Sequence, residues 1–138
     1  MIGKLLLATG LLLMLATAAA QSRMQRGKLQ PMQDAYAAAI RWGDFETAWQ
    51  LVDPAYKAEH PMTELEFERY QQVQISGYRD LSSSGGPDGT VERAIELRVI
   101  NKHTMAERTM RYRERWRWDP EAKRWWLVVG LPDLWNGE

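Results

Sequence analysis

The chain contains no cysteine, which removes disulfides, thiolate nucleophiles and sulfur metal sites and leaves the redox compartment open. Histidine is nearly as scarce: His60 and His103 are the only two among 138 residues. They fall in separate expected loops without metal-ligand spacing to any acid, so no metal site is expected. Net charge is also missing, because 18 lysines and arginines balance 18 aspartates and glutamates. There is therefore no global attraction to nucleic acid or to an anionic membrane surface. No glycine-rich loop opens a helix and no serine sits in a nucleophile-elbow pattern, which leaves nucleotide and hydrolase readings unsupported and implies no cofactor. What remains is a chain of ordinary composition, 45% hydrophobic and 26% charged, long enough for one domain with a core.

The opening segment "MIGKLLLATGLLLMLATAAAQS" has a basic start at Lys4, an apolar run from Leu5 to about Leu15, and small residues Ala18, Ala19 and Ala20. That is the layout of a secretory signal peptide with cleavage after Ala20, and retention as an amino-terminal membrane anchor is the rival. The apolar run is short for a bilayer span, which needs about 20 such residues. Either outcome places the folded part outside the cytoplasmic membrane, periplasmic in a bacterial cell, with the membrane touched only through this segment. The domain reading is residues 1–20 signal or anchor, 21–30 polar linker and 31–135 folded domain.

Pro31 suits the first turn of a helix, and Met32, Ala35, Tyr36, Ala39 and Ile40 follow at helical spacing up to a stop at Gly43. Asp44 is a ready N-cap for a second helix striped with Phe45, Ala48, Trp49 and Val52. "DPAYKAEHP" reads as a loop bracketed by prolines. Thr63 with Glu66 forms a capping-box pattern opening a third helix that runs to about Gln74. A strand is expected over Tyr78 to Leu81, then "SSSGGPDG" as turn chemistry, then only strand-like sequence.

The stretch "RYRERWRWDPEAKRWWLV" at 111–128 alternates in a way that fixes a hairpin. A loop from Asp119 to Arg124 sets Trp118 opposite Trp125, Trp116 opposite Leu127, Glu114 opposite Val129 and Tyr112 opposite Leu131. One face is then apolar and the other carries Arg113, Arg115 and Arg117. A preceding turn at His103–Ala106 sets Lys102 opposite Glu107, Glu96 opposite Arg113 and Glu92 opposite Arg117, with Arg98 opposite Arg111 as an unfavourable pair. The arginines read as a structural face partnered by glutamates, with Arg117 beside Trp126 as a cation–π contact, so no nucleic-acid partner is expected. The apolar face needs the helices as cover. The fold class is therefore α+β, with three amino-terminal helices on the concave face of a curved, mainly four-stranded antiparallel sheet.

This element order, carried by "AYAAAIRWGDFETAWQLVDP" and the closing "RWRWDPEAKRWWLV", resembles the nuclear transport factor two-like, or ketosteroid-isomerase-like, cone-fold superfamily across about residues 31–134. The resemblance implies a fold shared by isomerases, dehydratases and non-enzymatic binding modules, and it carries over no catalytic residue. Within the expected cone, Glu114 is an acid on an apolar face with Arg93 as its diagonal neighbour. The pair reads as a satisfied ion pair, with Glu114 as the one candidate acid or base. Tyr36, Trp49, Tyr70, Arg93, Tyr112, Glu114 and Trp116 are the candidate pocket residues, and Trp42 is expected to pack at the helix corner. The function that follows is a small binding or interaction module. Its partner would be an apolar ligand, another protein, or a second copy docked through the sheet near Trp126. The alternatives are an enzyme using the cone interior, with Tyr70 or Tyr36 as hydrogen-bond donor, and an accessory subunit of a cell-envelope complex.

Overall fold

The computed structural model describes the backbone of residues 2–135 and the side chains of residues 22–135. The side chains of the signal or anchor segment, 1–20, lie outside the described residues. Four helices precede the sheet: α1 (Ile2–Arg41), α2 (Phe45–Gln50), α3 (Pro54–Glu59) and α4 (Glu64–Tyr70). The sheet is a meander, β1 (Val73–Gly85), β2 (Val91–Asn101), β3 (Glu107–Asp119) and β4 (Arg124–Leu127), antiparallel in that order. Among the described residues no helix is long and apolar enough to cross a membrane.

Helix α1 does not begin at Pro31 but runs through it, and residues expected as a linker dock on the far hairpin. The Trp125 indole N–H donates to the Gln25 carbonyl at 2.7 Å, and Lys28 Nζ donates to the Lys123 carbonyl at 3.0 Å. Its inward stripe is Leu29, Met32, Gln33, Tyr36 and Ile40, while Ala35 is exposed. The helix stops at Gly43, whose φ of 72° suits glycine. Gly43 N–H bonds to Ile40 O and Asp44 N–H to Ala39 O, the paired closure that satisfies the last carbonyls. Asp44 then caps α2 by accepting from Thr47 N–H.

The proline-bracketed segment expected as a loop is helix α3. Asp53 caps it by accepting from Ala55 N–H, and Pro54 occupies the first turn, where no N–H is needed. The Thr63–Glu66 capping box is present, with both reciprocal bonds made. Helix α4 ends at Tyr70, four residues short of the expected Gln74. The first strand is longer than Tyr78–Leu81.

The β3–β4 register is as read from the sequence for Trp118–Trp125 and Trp116–Leu127. Beyond Leu127 the strand ends, so Glu114–Val129 and Tyr112–Leu131 do not pair. The β2–β3 register is displaced by two residues from the expected one. Glu92 faces Arg115, Glu96 faces Arg111, Leu97 faces Met110 and Ile95 faces Tyr112. The cause is the turn: Asn101 Oδ1 accepts from the N–H groups of His103 and Thr104, and Asn101 rather than Lys102 closes the loop, against Ala106. Arg98 therefore faces Thr109, and the expected arginine clash does not arise. A two-residue slip preserves which face each side chain occupies. Ile95, Leu97, Val99, Met110 and Trp116 point inward and are buried with Tyr36, Ile40, Phe45 and Ala48 from the helices.

Candidate functional site

Strand β1 would alternate Val73, Ile75 and Gly77 inward if it were regular. A bulge lies between Ile75 and Gly77, and it turns Tyr78 inward instead. Arg41 Nη2 holds this corner against α1 by donating to the Tyr78 carbonyl at 2.9 Å. The Tyr78 hydroxyl is thereby delivered to Glu114, to which it donates a hydrogen bond.

Glu114 is 0% exposed, and both of its carboxylate oxygens accept hydrogen bonds. Oε1 accepts from Tyr78. Oε2 accepts from Arg93 Nε at 2.9 Å and the Trp116 indole at 2.9 Å, with Arg93 Nη2 at 2.8 Å. Arg93 is the direct cross-strand partner of Glu114, not a diagonal one. Its Nη2 also donates to the Tyr78 hydroxyl at 3.1 Å, and its Nη1 lies 3.5 Å from Asp80 at the rim. Burial works against the Arg93 charge, yet Glu114, Tyr78 and Asp80 together hold its pKa above the ordinary arginine value. Burial, then the Glu114 charge, pushes the Tyr78 hydroxyl far above the ordinary tyrosine value. A buried charge pair of this kind needs further hydrogen bonds to offset its lost hydration, and here Tyr78 and Trp116 supply them.

Beside this cluster the Tyr112 hydroxyl donates to Gly130 O at 2.8 Å, so the Tyr36 hydroxyl, 3.0 Å away, donates to Tyr112. Burial raises the pKa of both tyrosines well above the ordinary value. The Tyr36 ring meets Trp116 edge-on at 5.7 Å. Tyr36, Arg93, Tyr112, Glu114 and Trp116 thus come together.

The other two candidate pocket residues lie elsewhere. Trp49 packs edge-on against Tyr56 at 6.4 Å. Tyr70 lies under the carboxy-terminal tail, its ring tilted against Phe45 at 4.5 Å and its hydroxyl donating to Pro132 O at 3.0 Å. Tyr78, expected only as the start of a strand, joins the site because of a bulge that nothing in "QISGYRD" marks.

A surface cleft of about 410 Å³ reaches Arg93 and Tyr78 from outside, lined also by Asp34, Arg41, Trp42 and Asp80. Glu114 and Trp116 do not line it. Trp42 is 87% exposed and does not pack at the helix corner, because it follows exposed Ala35 and Ala38 on the solvent face of α1, off the inward stripe. On the outer face Arg117 bonds to Asp53 at 2.6 Å, not to Glu92, and Arg124 rather than Arg117 lies over the Trp126 ring, at 3.5 Å. The remaining outer pairs are Arg79–Glu96, Arg98–Glu107 and Glu92 with Arg113 and Arg115, not Lys102–Glu107, Glu96–Arg113 or Glu92–Arg117. Among the described residues no cluster of three or more histidine, aspartate or glutamate side chains could hold a metal ion. Comparison with known proteins finds no matching family model, no matching curated protein and no matching solved structure.

Proposed function

We propose that this chain is a small non-enzymatic binding or interaction module of the cone-fold kind, exported or tethered by its amino-terminal segment. The observation that carries this reading is the state of Glu114. A general base must come within hydrogen-bond reach of the proton it abstracts. Glu114 is sealed from solvent and already accepts from Tyr78, Arg93 and Trp116. Trp116 and Tyr36, both fully buried and in edge-on contact, and the Tyr36–Tyr112 hydroxyl pair lie beside it and support a packed interior over a hollow one. Contacts through the outer surface are therefore favoured over an apolar ligand inside, whether to a protein partner, a second copy or a larger cell-envelope complex.

A second reading, an enzyme with Glu114 as acid or base, has one observation in its favour. The outer cleft reaches Tyr78, which is bonded to Glu114.

Glu114→Gln separates the two. Native mass spectrometry of the full chain from its producing cell should show no retained small molecule, and the substitution should lower stability alone. A stoichiometric small molecule lost in E114Q with folding unchanged would overturn the module reading in favour of the enzyme. Intact mass of the exported protein tests the address: a chain starting at Gln21 means cleavage, and a full-length chain means an anchor.

A further inference from the structure

Strand β3 is 13 residues long, but β4 pairs with only its last four, Trp116–Asp119. One more backbone bond follows, from Val128 N–H to Arg115 O at 2.9 Å. The chain then leaves the edge. Gly130 accepts from Tyr112 on the inner side, where a Cβ would lie 2.6 Å from the Tyr56 hydroxyl, and Leu131, Pro132 and Leu134 are buried beneath the sheet.

The parity of the remaining edge follows from two bonds. Ala106 O is taken by Asn101 N–H of β2, and the register from Glu107 to Trp116 is uninterrupted, so even-numbered β3 residues bond to β2. Arg115 O points the other way, to Val128. Thr109, Arg111 and Arg113 therefore direct their N–H and C=O groups outward, and among the described residues none meets them.

Those same three residues place exposed side chains on the outer face. Arg111 stands across from Glu96, but Glu96 is committed to Arg79 at 3.0 Å. Arg113 shares Glu92 with Arg115, at 4.0 Å against 3.4 Å. The open edge is thus bordered by arginine charge that the sheet's own acids do not fully meet.

We infer that the open edge of β3, residues 109–113, accepts an extended acidic peptide segment of a partner protein as an added antiparallel strand. Backbone bonds supply the docking, and acidic residues at every second position face Arg111 and Arg113. A second copy is the poorer occupant, because two such edges would set arginine against arginine, and like charges across a ladder are destabilising. The proposal rests on the interaction-module reading and names its partner.

The test is fluorescence anisotropy of a labelled, alternating Glu/Val peptide against the full chain in non-ionic detergent. Saturable binding that weakens with salt is expected, with a Lys/Val peptide of equal length not binding. In an antiparallel docking the glutamates opposite the arginines send their N–H groups to β3, and the valines send theirs to solvent. N-methylation at the glutamates should therefore abolish binding, and N-methylation at the valines should spare it. Arg111→Glu with Arg113→Glu should weaken binding by about tenfold or more. Arg111→Pro, which removes an outward N–H that an edge strand can spare, should remove it with the melting curve kept.

If Arg111→Pro fails to fold, the methylated peptides still decide, since they change nothing in the protein. Absence of saturable binding would mean that the arginines only guard the edge against aggregation. Equal binding of both methylated peptides would mean charge attraction alone, and a dimer in sedimentation that Arg111→Pro dissolves would mean self-pairing. Each result overturns the proposal. None touches the reading of the interior, which stands or falls on E114Q and native mass.

Discussion

Two cross-strand pairs stand side by side on β2 and β3. Arg93 faces Glu114, and Glu92 faces Arg115. They use the same residue types, on the same strands, one step apart, and the pleat sends one pair under the helices and the other into water. The inner pair closes to 2.8 Å with side chains 6% and 0% exposed, and the outer lies at 3.4 Å with 47% and 38%. The inner pair is joined by Tyr78 and Trp116. The outer acid is divided between two arginines. Solvent, not composition, decides what each pair is worth. Charges exposed to water gain little by meeting, whereas a buried charge that loses its partner is stranded without hydration.

Removing one member from each pair should separate them most sharply. Glu114→Ala should cost about 3–5 kcal/mol, because it leaves the buried Arg93 charge with only Asp80 at the rim to meet it. Urea melts of the full chain will show it, and replacing Arg93 with Met alongside Glu114→Leu should recover most of the loss.

The hydroxyls around the inner pair give a pH signature that the outer pair lacks. Tyr36, Tyr78 and Tyr112 are all held above the ordinary tyrosine pKa of 10.0, burial first among the causes. A raised folded value means that stability is fully present below about pH 10 and falls above it, as the unfolded chain ionises first. The slope is about 1.4 kcal/mol per pH unit for each such group. Stability measured from pH 8 to 12 should be flat and then fall, and Tyr36→Phe should make the fall shallower. An unchanged slope in that variant would show that the hydroxyl ionises freely in the folded state.

Tyr78→Phe, which takes a donor from the buried carboxylate but leaves Arg93 in place, should cost about 1.5–3 kcal/mol. Gly43→Ala, far from either pair, should cost about 1 kcal/mol through its positive φ alone. The outer pair should give the smallest effect: Glu92→Ala is expected to shift the urea midpoint by an amount worth less than about 0.5 kcal/mol.

The in-and-out pattern of the carboxy-terminal hairpin was legible because alternation has a period of two and survives a slip of two residues. Trp116 and Glu114 inward, with Arg113 and Arg115 outward, could be read from "RYRERWRW" without knowing which glutamate met which arginine. Pair identities depended on Asn101, whose side chain closes the turn one residue earlier than hydrophobic patterning suggests.

The bulge at Ser76 was not legible. Its effect is to bring Tyr78 to a residue 36 positions away in sequence, and no local pattern encodes that meeting. Helix α3 was misread for a simpler reason. Prolines at both ends of a segment suggest a loop, but an aspartate directly before Pro54 makes it a helix start. Likewise α1 passes through Pro31 because both of its flanks dock, at Trp125 on one side and under Trp116 on the other. Tertiary contacts there outweigh the lost helical hydrogen bond.

The most direct measurement is a pair of double-mutant cycles, Arg93 with Glu114 and Glu92 with Arg115, each residue replaced by Ala and unfolding followed in urea. A Glu114 closed to water and met by Arg93 should give a coupling of several kcal/mol for the first cycle, and the solvated outer pair a value near zero for the second. Similar couplings in the two cycles would contradict it, because water would then have to reach Glu114 as freely as it reaches Glu92.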